Sequence, residues 1–194
     1  MTERSEASPR VLEAIVDRWS PRSFDEGAVP QEDLDVIFEA AGWAPSAFNL
    51  QPWRFLYAHR GDANWERFLS LLIDFNQSWA KDASVLVFVV SDTLQRKDDG
   101  RTSGNHSHSF DAGAAWALAA LQATAMGYHV HGMTGVKFDE VKSELGIPDD
   151  HRFEAAFVIG TKGSADKLPE GLQQREQPSG RKPVGEFVWP GNFR

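Results

Sequence analysis

Two short polar stretches of the sequence have side chains suited to binding a small anionic or heteroaromatic molecule. In the first, RWSPRSF, Arg18, Ser20 and Arg22 follow one another at even spacing. Two guanidinium groups with a hydroxyl between them can donate several hydrogen bonds to a phosphate. The same residues also fit an exposed helix end, where Arg18 would complement the helix dipole. Taken alone, this stretch leaves both interpretations open.

The second stretch, APSAFNLQPW at residues 44–53, places Ser46, Asn49 and Gln51 between two prolines. Hydroxyl and amide groups offer both donors and acceptors, as a heteroaromatic ring system requires. A polar loop after a helix is an equally good interpretation, because Pro and Asn are frequent in such connections. Further along, Asn76 in DFNQSWAKDA could complement the donor and acceptor edges of a cyclic imide.

The histidines suggest a different chemistry. His106 and His108 form one closely spaced pair and His129 and His131 form another, and Asp111 could complete a metal site with either pair. However, the Gly- and Ser-rich GNHSHS segment is expected to be mobile, and no H-E-x-x-H or related signature is present. We therefore favour a role for these histidines that does not involve a metal.

The composition is that of one globular domain without covalent cross-links. The chain has 194 residues, of which 41% are hydrophobic and none is cysteine, so disulfides and a cysteine nucleophile are excluded. A formal net charge of -8 argues against nucleic-acid binding. The longest apolar run, VLVFVV at 85–90, is too short for a membrane span, and no signal-peptide pattern is present. We expect a cytoplasmic protein that binds no membrane.

Apolar spacing predicts the helices and strands that must position the polar stretches. Helices are predicted at 10–19, 29–42, 64–75, 112–127 and 138–146, with Asp111 as N-cap of the long alanine-rich helix. Strands are predicted at 53–59, 84–90, 129–133 and 154–161. This alternation predicts an α/β or α+β fold with a mixed sheet. No G-x-S-x-G, P-loop or G-x-G-x-x-G motif accompanies it.

From residue 163 the sequence becomes rich in Pro, Gly and charge, with aromatic residues only near its end. Such a segment cannot build a core of its own. Close to its end it keeps the apolar side chains of Phe187, Val188, Trp189 and Phe193. We therefore expect one domain, residues 1–194, whose extension 163–194 docks on its own surface or on a second subunit.

Taken in order, RWSPRSF, APSAFNLQPWRF, NQSWAKDA, DAGAAWALAALQATAMGY, HGMTGVKFDEVKSELGIP and GRKPVGEF resemble the nitroreductase family of flavoenzymes along nearly the whole chain. The resemblance implies a three-layer α+β fold, with a mixed β-sheet flanked by helices, in an intertwined homodimer with two FMN molecules at the subunit interface. It also implies that a hydride passes from NADH or NADPH through flavin N5 to a small-molecule acceptor, in a ping-pong scheme. The implied acceptors are nitroaromatics, quinones and activated alkenes.

The resemblance further implies which residues bind the cofactor. The positions that hold the FMN phosphate and ribityl oxygens correspond to Arg18, Trp19, Ser20, Arg22 and Arg181. The loop that reaches the flavin from the partner subunit corresponds to Pro45, Ser46, Ala47, Asn49 and Gln51. The amide at the pyrimidine edge corresponds to Asn76, and the segment beside flavin N5 corresponds to Met133, Thr134 and Gly135.

Three positions depart from the family pattern. Trp19 and Ser179 stand where basic residues are common, and TGV replaces a Gly-Gly-Phe run. We expect FMN to bind through the remaining arginines. Which substrate enters is expected to depend on Trp43, Phe48, Trp79 and the loop that carries His106 and His108.

Two alternative functions remain open from the residues alone. One is an FMN-binding storage or sensor protein without efficient turnover, and the other is a histidine-ligated metal hydrolase. The colour of the purified protein, its bleaching by NAD(P)H and its zinc content would separate these from the oxidoreductase.

Overall fold

The computed structural model describes residues 7–193. The helices are α1 (Glu13–Asp17), α2 (Gln31–Gly42), α3 (Trp65–Ser70), α4 (Asp74–Ala80), α5 (His108–Ala125), α6 (Phe138–Glu144) and α7 (Glu170–Gln173). The strands are β1 (Trp53–His59), β2 (Val85–Asp92), β3 (Leu94–Arg96), β4 (Thr102–Gly104), β5 (His129–Met133) and β6 (His151–Gly160). Within residues 7–193, no helix is long and apolar enough to cross a membrane.

Four of the strands form one sheet in the order β1-β2-β6-β5, and every pairing in it is antiparallel. The prediction of a mixed sheet is therefore wrong for the described strands. His59 at the end of β1 lies opposite Val85 at the start of β2. The chain therefore leaves the sheet, forms α3 and α4, and returns at the same end of the sheet. A parallel pair would need a connection that crosses to the other end. Strands β3 and β4 form a separate hairpin that the sequence did not indicate.

The sheet is the middle layer of three, which confirms the expected three-layer α+β architecture. Strand β2 is buried along its whole length, and its alternate residues belong to two cores. Leu86 and Phe88 face the core that contains residues of α3, α4 and α6. Val85 and Val87 face the core that contains residues of α2 and α5, where buried alanines of α5 let the layers approach closely.

The segment 64–75, predicted as one helix, divides into α3 and α4 because its backbone pairs with a distant segment. Ile73 N donates a hydrogen bond to Gly135 O at 3.1 Å, and Lys137 N donates to Leu71 O at 2.8 Å. These bonds replace the helical ones between the two short helices. They also bring α4, which carries one of the predicted site residues, next to the end of β5.

Helix α5 begins at His108, four residues before its predicted start. Its N-cap is Ser107, and the prediction that Asp111 caps the helix is wrong. The carboxylate of Asp111 instead accepts a hydrogen bond from Ala47 N at 3.0 Å. Asp111, predicted to cap its own helix, therefore holds the APSAFNLQPW loop against that helix.

The C-terminal extension packs partly on its own chain, through two leucines near its beginning. Leu168 and Leu172 are buried in the same core as α3, α4 and α6. Beyond Arg181 the chain is largely exposed, and Val184 and Phe187 are more than half exposed. Docking on a second subunit thus remains a prediction for the final segment only.

Candidate functional site

Side chains from the first loop and from the C-terminal extension converge on one polar pocket of about 180 Å³, which we call the arginine pocket. It is lined by Arg18, Trp19, Ser20, Arg22, His131, Arg175, Gln177, Ser179 and Arg181. The structure thus brings together all the residues that the resemblance assigned to the phosphate and ribityl groups. The sequence interpretation missed Arg175 and His131, because no local pattern connects either residue with the first loop.

Glu176 fastens together the two chain segments that form this pocket. Its carboxylate accepts hydrogen bonds from Arg22 N at 2.8 and 3.0 Å and from Ser23 N at 2.8 Å. Arg18 follows the end of α1 in an extended conformation, and its Nη1 donates to Ser20 Oγ at 3.2 Å. The tail and the RWSPRSF loop are therefore held in one fixed arrangement.

The arginine pocket concentrates positive charge in a chain whose formal net charge is -8. Among the described residues, its lining contains four arginines and no Asp or Glu. Burial lowers the pKa of Arg22, the positive charge of Arg175 lowers it further, and Glu176 raises it. Arg22 Nε is buried, and within residues 7–193 it has no hydrogen-bond partner. A partly buried cation that a second arginine repels and that keeps an unused donor is suited to binding a multiply charged anion.

His131, on strand β5, is buried in the wall of the arginine pocket. Its Nδ1 lies 2.8 Å from Pro21 O, to which it donates when the proton is on that nitrogen. The imidazole packs against Trp79 with ring centroids 4.6 Å apart. Burial lowers the pKa of His131, the hydrogen bond to Pro21 opposes that shift, and Arg22 adds to it. A neutral imidazole therefore faces the arginines.

Of the paired histidines, His108 and His131 form hydrogen bonds to protein groups, whereas His129 Nδ1 is buried and has no hydrogen-bond partner within residues 7–193. His108 lies in α5 with its Nδ1 2.7 Å from Ser91 Oγ. In the part of the chain that the structure describes, no group of three His, Cys, Asp or Glu residues is arranged to hold a metal ion. The segment expected to be mobile is hydrogen-bonded, since Asn105 N donates to Thr93 O at 2.8 Å.

A second pocket of about 290 Å³ lies between α5 and strands β5 and β6, and we call it the apolar cavity. It is lined by Val89, Ser109, Ala112, Gly113, Trp116, Gly132, Met133, Thr134, Glu154, Ala155 and Ala156. The indole of Trp116 lies directly against the backbone of Gly132, where an added Cβ would come within 2.9 Å of the ring. The resemblance predicted Met133 and Thr134 in this region, and the sequence interpretation missed Trp116 and Glu154.

Asn76 lies at the end of β5, beside the predicted segment 133–135. Its side chain is buried, and its Nδ2 donates a hydrogen bond to Gly135 O at 3.0 Å. A Cβ on Gly135 would lie 2.3 Å from that nitrogen, so a larger residue would displace Asn76. The structure therefore brings Asn76 and the segment 133–135 together.

The loop at 45–51 has an unusual backbone conformation and contributes no residue to the lining of either pocket. Phe48, Asn49 and Gln51 have φ values of 52°, 55° and 47°. This left-handed region costs a non-glycine residue roughly 1–2 kcal/mol. Gln51 N donates to Ser46 Oγ at 3.0 Å, which helps to hold the turn. Neither pocket lining includes a residue of this loop, so one chain alone does not bring it to the other predicted residues.

Comparison with known proteins relates the chain to one family. A model of the Nitroreductase family matches residues 15–78 and 71–161. A solved oxidoreductase containing FMN is 46% identical, with a TM-score of 0.94 over 98% of this chain and 96% of that chain. The CLA biosynthesis enone reductase of Lactiplantibacillus plantarum is 24% identical over 190 residues, which cover 81% of this chain and 87% of the reductase. A Methanothermobacter thermautotrophicus protein provisionally named NADH dehydrogenase/NAD(P)H nitroreductase is 32% identical over 118 residues, 55% of this chain and 59% of its own.

The lowered pKa of His131 predicts a loss of stability in mild acid. At pH 8 the imidazole is neutral in both states, but below about pH 6.5 the unfolded chain takes up a proton that the folded chain resists. The free energy of unfolding should therefore fall as the pH drops, by up to about 1.4 kcal/mol at pH 5.5 from this group. In His131→Asn, urea unfolding at pH 8 and pH 5.5 should show a smaller fall than in the wild type. The pH 8 value gives the cost of the substitution itself, and an unchanged fall would contradict the prediction.

Proposed function

The chain belongs to the nitroreductase family, and from that membership and the arginine pocket we propose that it is an oxidoreductase that binds FMN and takes electrons from NADH or NADPH. The 46% identical structure contains FMN, which supports the choice of flavin. The name of the Methanothermobacter relative supports NAD(P)H as the electron donor. We further propose nitroaromatics, quinones or activated alkenes as acceptors, and the enone reductase relative favours the last of these.

The arginine pocket is the observation that carries this proposal, because its chemistry fits the phosphate of FMN. Four arginines surround a space of about 180 Å³. The carboxylate of Glu176 joins the two segments that form the pocket. It already accepts three hydrogen bonds from backbone N–H groups. A phosphate dianion would offset the repulsion between Arg22 and Arg175. It would also accept hydrogen bonds from N–H groups that have no acceptor in the protein.

We assign the other predicted residues to the remaining parts of the cofactor. When bound, FMN would supply the ring atom that takes up a hydride and passes it on. Ser20 and Trp19 would lie along the ribityl chain, and Met133, Thr134 and Gly135 beside the ring. Asn76 would hydrogen bond to the imide edge of the ring. Pro45, Ser46, Ala47, Asn49 and Gln51 would reach the same ring from a second subunit.

The chain's own part in the reaction is binding, orientation and the exclusion of water. The walls of the apolar cavity include Met133, Trp116 and several alanines, so a flat molecule bound there would lie against mainly apolar side chains. We propose that the nicotinamide donor and the acceptor use this same space in turn, as a ping-pong scheme requires. No acid and base pair is needed, because the cofactor carries the chemistry.

The oxidoreductase proposal is tested on the protein purified with FMN. Under anaerobic conditions, NADH or NADPH should bleach the flavin absorbance, and a quinone or nitroaromatic should then restore it. A yellow protein that neither donor bleaches would contradict the proposal and favour the storage or sensor function. Boiled protein with the same amount of FMN controls for direct reaction of the dissolved flavin.

We expect Arg175, on the C-terminal extension, to contribute to phosphate binding as much as Arg22 of the first loop. Charge-assisted hydrogen bonds contribute about 1.5–3 kcal/mol, so Arg175→Ala and Arg22→Ala should each weaken FMN binding about tenfold or more. Riboflavin lacks the phosphate, and its affinity should change little. Flavin fluorescence titration at low salt measures both, with the exposed Arg101→Ala as control. Equal losses for FMN and riboflavin would remove Arg175 from the phosphate site.

We also propose a homodimer of single-domain chains, in which the segment after Arg181 docks on the partner. Trp43, Phe48 and Phe110 are each more than three quarters exposed, as is Phe193 near the chain end. Obligate interfaces commonly bury more than about 2,000 Å², so the dimer should persist at low concentration.

Light scattering at submicromolar concentration should therefore give twice the chain mass of 21.6 kDa. Deletion of residues 184–194 leaves the four arginines of the arginine pocket in place and should weaken the dimer. Phe138→Ala, which trims a half-exposed aromatic residue on α6, serves as control. A full-length monomer that still binds FMN tightly would contradict the assembly.

A further inference from the structure

An irregularity in the sheet places a carboxylate at the apolar cavity. Along the β2–β6 pair, Val89 lies opposite Ala155 but Val90 lies opposite Phe153, so Glu154 is an extra residue in β6. Such a bulge changes the direction in which a side chain points, and bulges are frequent next to active sites. The register of β6 therefore differs on the two sides of Glu154.

The faces of β6 show what this bulge does. Ala156 and Val158 belong to the core that contains α3, α4 and α6, and strict alternation would send Glu154 into that same core. Instead Phe153 packs against this core, while Glu154 and Ala155 both line the apolar cavity. The bulge thus keeps the carboxylate out of the hydrocarbon core and turns it toward the cavity.

Two hydroxyl groups hold one oxygen of this carboxylate. Glu154 Oε1 accepts hydrogen bonds from Ser91 Oγ at 2.6 Å and from Ser109 Oγ at 2.7 Å. His108 Nδ1 lies 3.3 Å from the same oxygen and 2.7 Å from Ser91 Oγ. The side chain of Glu154 is only 15% exposed, so its position is well fixed by these contacts.

The second oxygen, Oε2, is much less engaged. It lies 3.6 Å from Arg152 Nε, which is longer than a hydrogen bond, and the Arg152 side chain is 63% exposed. A pair of this kind contributes little. Around the carboxylate, the cavity walls are mainly apolar, with Ala112, Ala155 and Trp116 among them. A fixed acceptor at the edge of an apolar space of about 290 Å³ suits a small ring that carries a hydrogen-bond donor.

We propose that the apolar cavity selects aromatic molecules that carry a cationic or hydrogen-bond-donating substituent, and that Glu154 is the residue that makes this selection. The donor of the ligand bonds to Glu154 Oε2 while its ring lies against Trp116. Carboxylate-bearing rings are rejected, because they would place two anions together. The inference deepens the proposed function and rests on it for the role of the ligand, since Met133 and Thr134 of this cavity are the residues that we place beside the flavin.

The test compares two rings of similar size and opposite charge. Isothermal titration calorimetry on the FMN-loaded protein should show benzamidine binding at least about tenfold more tightly than benzoate. Glu154→Gln keeps the shape of the side chain and should lose this preference, whereas Glu140→Gln, an exposed carboxylate on α6, should keep it. Equal affinities in the wild type, or a preference that survives in Glu154→Gln, would overturn the proposal.

A second variant decides the matter if Glu154→Gln does not fold. Gly113 lines the cavity on α5, and a Cβ added there meets no other atom within 4 Å. Gly113→Leu should therefore fill the cavity without straining the helix, and it should abolish benzamidine binding. Benzamidine binding that is unaffected by this leucine would place the ligand elsewhere and overturn the proposal. Reduction of the FMN by NAD(P)H is measured separately, so a failure of the oxidoreductase function is distinguished from a failure of ligand selection.

Discussion

The arginine pocket depends on the three hydrogen bonds that the Glu176 carboxylate accepts from Arg22 N and Ser23 N. Glu176 follows Arg175 directly in the sequence, so the bonds that fix its carboxylate also bring Arg175 close to Arg22. Burial lowers the pKa of Arg22, and repulsion from the Arg175 guanidinium lowers it further. Glu176 raises the pKa of Arg22 by less than burial and Arg175 lower it, so it neutralises this charge only in part. The remaining positive charge faces the pocket, where an anion can use it.

Strand β5 sets the relation between the pocket and the cavity. His131 lies in the arginine pocket and Met133 lies in the apolar cavity, and two residues of a strand span roughly 7 Å. Between them, Gly132 has no side chain, so Trp116 packs directly on the backbone. The arginine pocket and the apolar cavity are therefore close neighbours along this strand. The site thus changes from polar to apolar along strand β5 alone.

The sequence predicts those parts of the site and fold that depend on local spacing. The cluster at residues 18–22 could be found because one short loop fixes its members, and most helices and strands follow from apolar periodicity. Arg175 and His131 could not be found in this way, since only the packing of the tail brings them to that loop. Glu154 reaches the cavity through a bulge that the alternation of β6 does not reveal. Asp111 fits a helix cap by type, but a distant backbone N–H binds it. The antiparallel order of the sheet also depends on long-range pairing.

The loop at 45–51 combines a strained backbone with an exposed aromatic side chain. Three left-handed residues, at roughly 1–2 kcal/mol each, require compensation from the surroundings. Within the described chain, the compensation includes the hydrogen bonds of Gln51 N to Ser46 Oγ and of Ala47 N to Asp111, and a typical hydrogen bond contributes only about 1 kcal/mol. The same loop leaves Phe48 85% exposed, close in sequence to the 79% exposed Trp43. Contact with a second copy would cover this apolar surface and stabilise the strained backbone together, so the strain and the exposure support the same assignment of the loop to a subunit interface.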